Sequence, residues 1–581
     1  MDEQDETVST LAQGQQIAEN LHSQTMRTTK PGIKRLLLTF TVLLSFLLGF
    51  PFLWKSLEIY RSPLPFAEID SLNHESLHFP YHFQAIFLTP DPFDPSLVHS
   101  SILAEISNSI LDKHLCGSSL SNISISVVVD SPKNCQRTGP KSSYECGSID
   151  RSYFDFSDEN NIDETLKKFL GEGRVYTVVV QVVDDTVVPR GVIGKHRHAW
   201  VVSNMSSELK TIVAEIMVKV FNYGGGEEGS IKSEFIPVGA DGRIILSFNL
   251  LNSDPQDWIF DWDFKSIDET LLVPVIEALS PIANITVESQ VLFYTPKASF
   301  SSWDKKMKSH VFYTKDLPFF VNSNEWHLDT STAAGGRSNI LQFVVYVSSA
   351  KECPLKLVLP HGLVSSTNGF ISPMWGGVMV WNPIGCLKQS SLRTFLSSED
   401  MHNIVEVFLG QLRQLLGLKS NVSFPGSSIN FKLLPSEKGF TDWELDVLSR
   451  KHTCFNLNST ATTLTSLSRL VNSLPRMIII DDIGRQVVKM SLESAKLAME
   501  KASFGYFDEA AVLSRRGRTL AEDAFYHPSI TSVSYYSFEH CFAVYSPFFL
   551  PVLMHVVIAV FKEGKRYRRE TAKYVAWKKN K

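Results

Sequence analysis

Leu36 to Trp54 reads LLLTFTVLLSFLLGFPFLW, nineteen residues without a charge. At 1.5 Å of rise per residue a helix of that length spans roughly 28 Å, the thickness of a bilayer's hydrocarbon core. Lys34 and Arg35 close the run on one side and Lys55 on the other. A cleaved signal peptide has a shorter apolar core nearer the terminus, whereas 35 residues precede this run. It reads as an uncleaved signal anchor. Outward from it, residues 1–32 are polar and predict a disordered cytosolic tail, 33–57 a first transmembrane helix, and 58–80 a linker.

A second apolar run, Phe542 to Phe561, is FAVYSPFFLPVLMHVVIAVF. Pro547 and Pro551 would break a helix in water. In a bilayer a kinked helix persists where neighbours satisfy the freed carbonyls. His555 lies within it; a neutral imidazole bonded to a neighbouring helix is the expected state. Arg27, Lys30, Lys34 and Arg35 precede the first run, and nine basic residues from Lys562 to Lys581 follow the second. By the positive-inside rule both tails are cytosolic and the bulk of the chain lies across the membrane. The chain's last residues, Lys578-Lys579-Asn580-Lys581, resemble a dilysine retrieval signal for the endoplasmic reticulum, with Lys578 and Lys579 as the read positions. A chance lysine pair in so basic a tail (562–581) is the alternative. Five sequons, at Asn122, Asn204, Asn284, Asn421 and Asn458, all fall between the two runs, as candidate N-glycosylation sites of a luminal region.

The 581 residues are 44% hydrophobic and 20% charged, values of ordinary globular protein, with a net charge of -5 that argues against nucleic acid as a partner. Seven cysteines are too few for a disulfide scaffold. Cys135 and Cys146 bracket a polar loop and are a candidate bridge, with free or differently paired thiols the alternative.

Between the runs, strand and helix signals alternate. Tyr81–Leu88, Ile123–Val129, Val175–Val183, Arg243–Leu251 and Ile285–Tyr294 read as strands. Ser96–Leu115, Ile162–Leu170, Ser206–Phe221 and Ile267–Leu279 read as helices. The fold class expected is a luminal α/β region, a sheet layered with helices, over 81–298. Residues 299–397 read as a separate β-rich region, with Ile340–Val347, Leu355–Leu359 and Gly377–Trp381 as strands. Residues 398–541 read as helical, with amphipathic stretches Glu399–Leu416, Asp442–Arg450 and Ala461–Leu474. Within this part 482–525 predicts a hairpin of two helices around Phe504-Gly505-Tyr506-Phe507. Its alanines, Ala495, Ala498, Ala502, Ala510 and Ala511, allow close approach. One such hairpin resembles a tetratricopeptide unit without making a repeat array. Residues 542–561 are the second span and 562–581 a basic cytosolic tail.

Catalytic chemistry finds little footing. His361-Gly362 after an apolar strand resembles the His-Gly step of legumain-like peptidases. Their nucleophilic cysteine ends a second apolar strand, and neither Cys386 nor Cys454 has that setting. His196 and His198 alternate and could bind a metal, but no acid or cysteine stands beside them at ligand spacing, so a surface strand is expected. Asp184-Asp185 and Asp481-Asp482 fit turns and helix caps. The loop Gly224 to Gly229 follows a helix and carries two acids, unlike a phosphate cradle. No catalytic residue, cofactor or metal is expected.

Two stretches carry a family resemblance. Phe370 to Asn382, FISPMWGGVMVWN, places Trp375-Gly376-Gly377 before an apolar strand that ends at Asn382. Ala521 to Ser529, AEDAFYHPS, runs on to Glu539-His540 and Ala543 to Pro547. Both are similar to PIG-S, a non-catalytic subunit of the glycosylphosphatidylinositol (GPI) transamidase, and the two-span layout and length match throughout. Physically, Trp375-Gly376-Gly377 reads as a tight turn fixed by a buried aromatic. The resemblance implies a structural subunit of the endoplasmic reticulum complex that transfers preassembled GPI to proteins with a C-terminal signal. Its implied partners are a legumain-like catalytic subunit, PIG-T, PIG-U and the GPI-anchor attachment protein. The alternatives are a luminal cargo or chaperone-like receptor cycling between Golgi and endoplasmic reticulum, and a divergent cysteine hydrolase using His361.

Overall fold

A computed structural model describes residues 27–57, 63–75, 77–109, 122–140, 144–150, 153–156, 158–171, 173–183, 188–205, 207–225, 235–322, 325–329, 337–360, 362–386, 393–419, 429–473, 482–528 and 538–579. Most of the expected N-terminal tail, Asp184-Asp185, His361, Asn421, Cys116 and Asp481 lie outside these. The chain divides into two compact units. One comprises Met1–Pro63, Leu470–Arg485 and His527–Lys581, the other Leu64–Arg469 and Gln486–Tyr526.

Among the described residues the larger unit holds two large sheets with a shared plan, beside a three-stranded and a two-stranded one. In the first, the strands are β1 (Tyr81–Leu88), β2 (Ile123–Asp130), β3 (Cys135–Thr138), β4 (Val175–Val182), β5 (Arg190–Ile193) and β6 (His198–Ser203). In the second, β7 (Arg243–Asn252) and β9 (Asn284–Phe293) follow, with β8 (Ile259–Asp261) between them in a small separate pair. After β10 (Ser302–Asp304) and β11 (Ser309–Tyr313) come β12 (Asn339–Val347), β13 (Leu355–Val358), β14 (Gly369–Ser372) and β15 (Gly376–Trp381). β16 (Arg393–Phe395) pairs with β8, and β17 (Asn430–Leu433) completes the set.

Among the described residues the first sheet runs β17-β5-β6-β4-β1-β2-β3 and the second β14-β15-β12-β7-β9. The segment β5-β6-β4-β1-β2 maps onto β14-β15-β12-β7-β9 strand for strand. In each segment the last four strands are parallel, and the first, a hairpin strand, is antiparallel to its neighbour. Helices occupy matching places, Pro95–Ser109 and the composite Phe264–Leu279 in the crossovers, Ser207–Asn222 and Ser398–Leu415 after the last strand. One α/β plan is thus used twice. Both faces of each sheet are covered, in the second by helices on one side and by Phe312, Phe320, Trp326, Leu355 and Leu357 on the other, which is why the strands read as near-continuous apolar runs rather than alternating ones. Phe83, Ala85, Ile86 and Phe87 of β1, and Val178, Val179 and Val180 of β4, are all buried.

This corrects the expected boundary at 298/299. It cuts through the second sheet, because β12 pairs in parallel with β7 along its whole length, from Asn339↔Ile244 to Val347↔Asn252. The β-rich segment gives β12, β14 and β15 to the second sheet and keeps a three-stranded sheet, β10-β11-β13, within itself. Asp442–Arg450 and Ala461–Leu474 do not form separate helices: one helix runs Asp442–Ser473. Its middle is polar yet buried, so the amphipathic signal lapses there. The hydroxyls satisfy themselves locally, Thr453 Oγ1 donating to Ser449 O at 2.7 Å and Thr460 Oγ1 to Asn456 O at 2.8 Å.

In the smaller unit Lys34–Leu57 is one helix that includes Pro51. A longer one, Phe538–Lys579, contains Pro547 and Pro551 and continues through the basic tail. Its stretch Ala543–Lys579 is long and apolar enough to cross a membrane. His555 Nδ1 lies 2.7 Å from Pro551 O of its own helix, so its partner is local rather than on a neighbouring helix.

Candidate functional site

The Trp-Gly-Gly motif ends the turn after β14 and opens β15. Trp375 is half-buried, not fully enclosed, because it is the main chain that ties this turn down: Trp375 O accepts from Gln342 N of β12 at 2.9 Å. Gly376 has φ +148°, and a Cβ there would collide with the Gln342 backbone. At Gly377 a Cβ would collide with the side chain of Gln411, from the helix Ser398–Leu415. Asn382, at the end of β15, accepts from Leu355 N at 2.8 Å and Ser348 Oγ at 2.9 Å, and donates to Leu355 O at 2.8 Å. Asn368, just before β14, donates to Leu355 O and Val380 O, both at 2.9 Å. Two carboxamides thus stitch β13 onto the second sheet. Sequence reasoning missed Asn368 and Gln411. The Asn-Gly step opening β14, and a glutamine on the apolar stripe of its helix, were the signals available.

A second polar constellation lies at the amino-terminal ends of β4 and β6. The amphipathic helix Glu159–Leu170 turns Ile162, Asp163 and Leu166 inward. Asp163 is fully buried, and its Oδ1 accepts from Lys195 N at 3.0 Å and meets His198 Nε2 at 2.9 Å. Burial alone would raise the Asp163 pKa, but His198 and the Lys195 N–H outweigh it and hold the carboxyl below its usual value. His198 opens β6, flanked by β4 and β5, and is buried. The expected surface strand is therefore an inner one, its imidazole accommodated by the carboxylate the sequence spacing had hidden. His196 lies in the preceding loop. Its Nδ1 is 2.7 Å from Asp442 Oδ2, and its Nε2 is 4.0 Å from both Asp163 Oδ2 and Glu164 Oε1. These three donor atoms lie within 4.8 Å of one another.

Beside them Arg197 grips Asp446 with two bonds, Nε to Oδ2 at 2.5 Å and Nη2 to Oδ1 at 2.8 Å. Asp446 also accepts from the Tyr176 hydroxyl at 2.9 Å, which in turn accepts from Arg450 at 2.6 Å. A cleft of about 330 Å³ opens here, lined by Lys167, His196, Arg197, Asp442 and Asp446 among others.

In open α/β sheets small ligands bind outside the carboxyl ends of the strands. At the ends of β2 and β7 the chain closes on itself. Asp130, ending β2, accepts from the Tyr144 hydroxyl and from Gly147 N, both at 2.7 Å. That loop is pinned by Cys135–Cys146, joined with a Cα–Cα distance of 6.2 Å. Asn252, ending β7, donates to Phe260 O at 3.0 Å and accepts from Phe260 N at 2.8 Å. A further disulfide joins Cys353 to Cys386, and Cys454 is disulfide-bonded too. The hydrolase reading thereby loses both thiols that sequence offered as partners for His361.

Residues 40–570 match the family described as phosphatidylinositol-glycan biosynthesis class S protein. The chain belongs to the PIG-S family. Among curated members it is 26% identical over 559 residues to the GPI-anchor transamidase component PIGS of Bos taurus, covering 92% of this chain and 94% of that one. It is 27% identical over 549 residues to the Homo sapiens component of the same name, covering 90% and 93%. To the GPI transamidase component GPI17 of Saccharomyces cerevisiae it is 21% identical over 547 residues, covering 90% and 91%. The match to the PIG-S family takes in both sheets, both disulfides with named partners and both stretches quoted from sequence.

Of the other sequence candidates, Asn284 and Asn458 are exposed, while Asn122 and Asn204 are half-buried. Lys578 and Lys579 are exposed at the end of the long helix.

Proposed function

We propose that this chain is a non-catalytic subunit of the GPI transamidase of the endoplasmic reticulum, supporting transfer of preassembled GPI to proteins with a C-terminal attachment signal. The observation that carries the reading is the near full-length match, at both ends of the comparison, to proteins named as components of that enzyme. Closure at the ends of β2 and β7, and disulfides in place of thiols, favour a scaffold over a catalyst.

The proposed topology has two spans, Leu36–Trp54 and Phe542–Phe561, with both tails cytosolic and the region between them luminal. Arg27 Nη1 lies 3.0 Å from Glu570 Oε2, joining the segment before the first helix to the basic end of the second. That contact is what an antiparallel pair with both tails on one side would make. The disulfides fit an oxidising lumen. The sequon asparagines are then glycosylation candidates and Lys578-Lys579 a retrieval address.

The proposed partners are a legumain-like catalytic subunit, PIG-T, PIG-U and the GPI-anchor attachment protein. Capture of this chain from membranes in mild detergent is expected to bring them down, and its loss to remove GPI-anchored proteins from the cell surface. Surface staining that is unchanged in cells lacking the chain would overturn the reading.

A further inference from the structure

We propose that Asp163, Glu164 and His196 form a divalent-metal site suited to zinc, pinning the helix Glu159–Leu170 to the loop before β6. Asp163 is fully buried, yet its Oδ2 has no hydrogen-bond partner. A buried carboxylate oxygen left so is costly unless something outside the protein atoms meets it. That oxygen faces His196 Nε2 at 4.0 Å, and Glu164 Oε1 faces the same nitrogen at 4.0 Å. Both separations are too long for a hydrogen bond. They suit ligands of a common central ion, since tetrahedral zinc with bonds of about 2.1 Å holds its ligand atoms about 3.4 Å apart. The adjustment falls to Glu164, whose side chain is 56% exposed.

The surroundings are arranged as a metal site requires. Asp442 Oδ2 holds His196 Nδ1 at 2.7 Å. A carboxylate on the far nitrogen fixes the tautomer that leaves Nε2 its lone pair. His198 and Lys195 N hold the other oxygen of Asp163, and Gly194 stands where a Cβ would collide with that oxygen. Arg197, next to His196 in the chain, is already engaged by Asp446. The donor set decides the metal. Calcium takes six to eight oxygens and magnesium keeps most of its water, whereas imidazole with carboxylates suits zinc. Water would complete the coordination on the cleft side.

The full-length chain, purified in detergent without a histidine tag, is stripped with chelator and titrated with zinc chloride in excess magnesium and calcium. About one zinc per chain is expected by mass spectrometry after dialysis, with a rise in melting temperature. Glu164→Gln, a change at an exposed position, is expected to weaken zinc binding at least tenfold, and His196→Ala to abolish it. Asp442→Asn, which touches no metal, is expected to weaken it about 10–100-fold. Zinc binding by Glu164→Gln and His196→Ala equal to that of the wild type would overturn the site. So would a wild-type chain that retains no zinc, or that prefers calcium.

Discussion

The carboxamide of Gln411 fills the space that a side chain on Gly377 would occupy. Its Nε2 donates to Phe370 O at 3.1 Å and Val378 O at 3.0 Å, binding β14 and β15 to the helix above them. Gly377→Ala must displace a buried, bonded amide. It is expected to destabilise the fold by about 2 kcal/mol or more. Gln411→Ala makes room at the cost of both bonds, so the double variant should lose less than the sum of the singles. Thermal melting of the three purified variants checks this. Strict additivity would mean the two residues do not share the space.

Cys353 and Cys386 close a loop of sequence separation 33. On chain-entropy grounds a bridge of that span stabilises by about 3–4 kcal/mol. It sits beside Asn382, whose side chain holds Leu355 at the start of β13. Replacing both cysteines by alanine should therefore loosen β13 first. Hydrogen exchange is expected to rise in 355–358 before it rises in β7 or β12. A uniform rise across the second sheet would contradict this order.

The element types were largely legible because their causes are local. Val178 to Val180 announce a strand, and Ile162 with Leu166 the inward face of a helix. The neighbours of a strand are set by crossover geometry, which leaves little trace in its own residues. Hence β12 read as the start of something new, although it lies against β7. The repeated plan was invisible for the same reason: β6 is HAWVVS and β15 is GGVMVW, alike in hydrophobicity but not in letters. At the candidate site the failure was one of distance along the chain. Asp163 and Asp442 lie 35 residues before His198 and 246 after His196, so no local pattern could unite them. Trp375-Gly376-Gly377 was legible since glycine beside a turn has few other uses.

His452 lies fully buried in the helix Asp442–Ser473, its ring 4.7 Å from that of Phe235. Neither ring nitrogen has a hydrogen-bond partner. Burial foremost, then the charges of Lys451, Arg518 and Arg515, push its pKa down to about 3. In the unfolded chain it titrates near the ordinary 6.5. Between these values the unfolded state binds the extra proton. The stabilisation is whole above pH 6.5 and drains away as pH falls toward 3. His452→Leu should match the wild type at pH 7.5 and be about 2–3 kcal/mol less acid-sensitive by pH 4.5. Parallel denaturant titrations at the two pH values give the difference, in which other titrating groups cancel. Equal acid losses in both proteins would exclude this origin.

The hairpin Asp482–Ser503 and Phe507–Phe525 owes its close packing to small residues. Ser491 Oγ donates to Gly517 O at 2.7 Å, and Ala495, Ala498, Ala510 and Ala511 are fully buried. A Cβ on Gly517 would stand 3.4 Å from Ala495 N and Ser491 O, at the near limit of ordinary contact. One methyl therefore fits, and it removes glycine's entropy from a helix interior. Gly517→Ala should be neutral or stabilising by up to about 1 kcal/mol. Ala495→Leu has no such room and should cost about 1–3 kcal/mol by forcing the helices apart. The pair of opposite signs is the test, read as shifts in melting temperature of the full chain. Should Gly517→Ala destabilise as much as Ala495→Leu, the space beside Gly517 is tighter than the 3.4 Å approach permits.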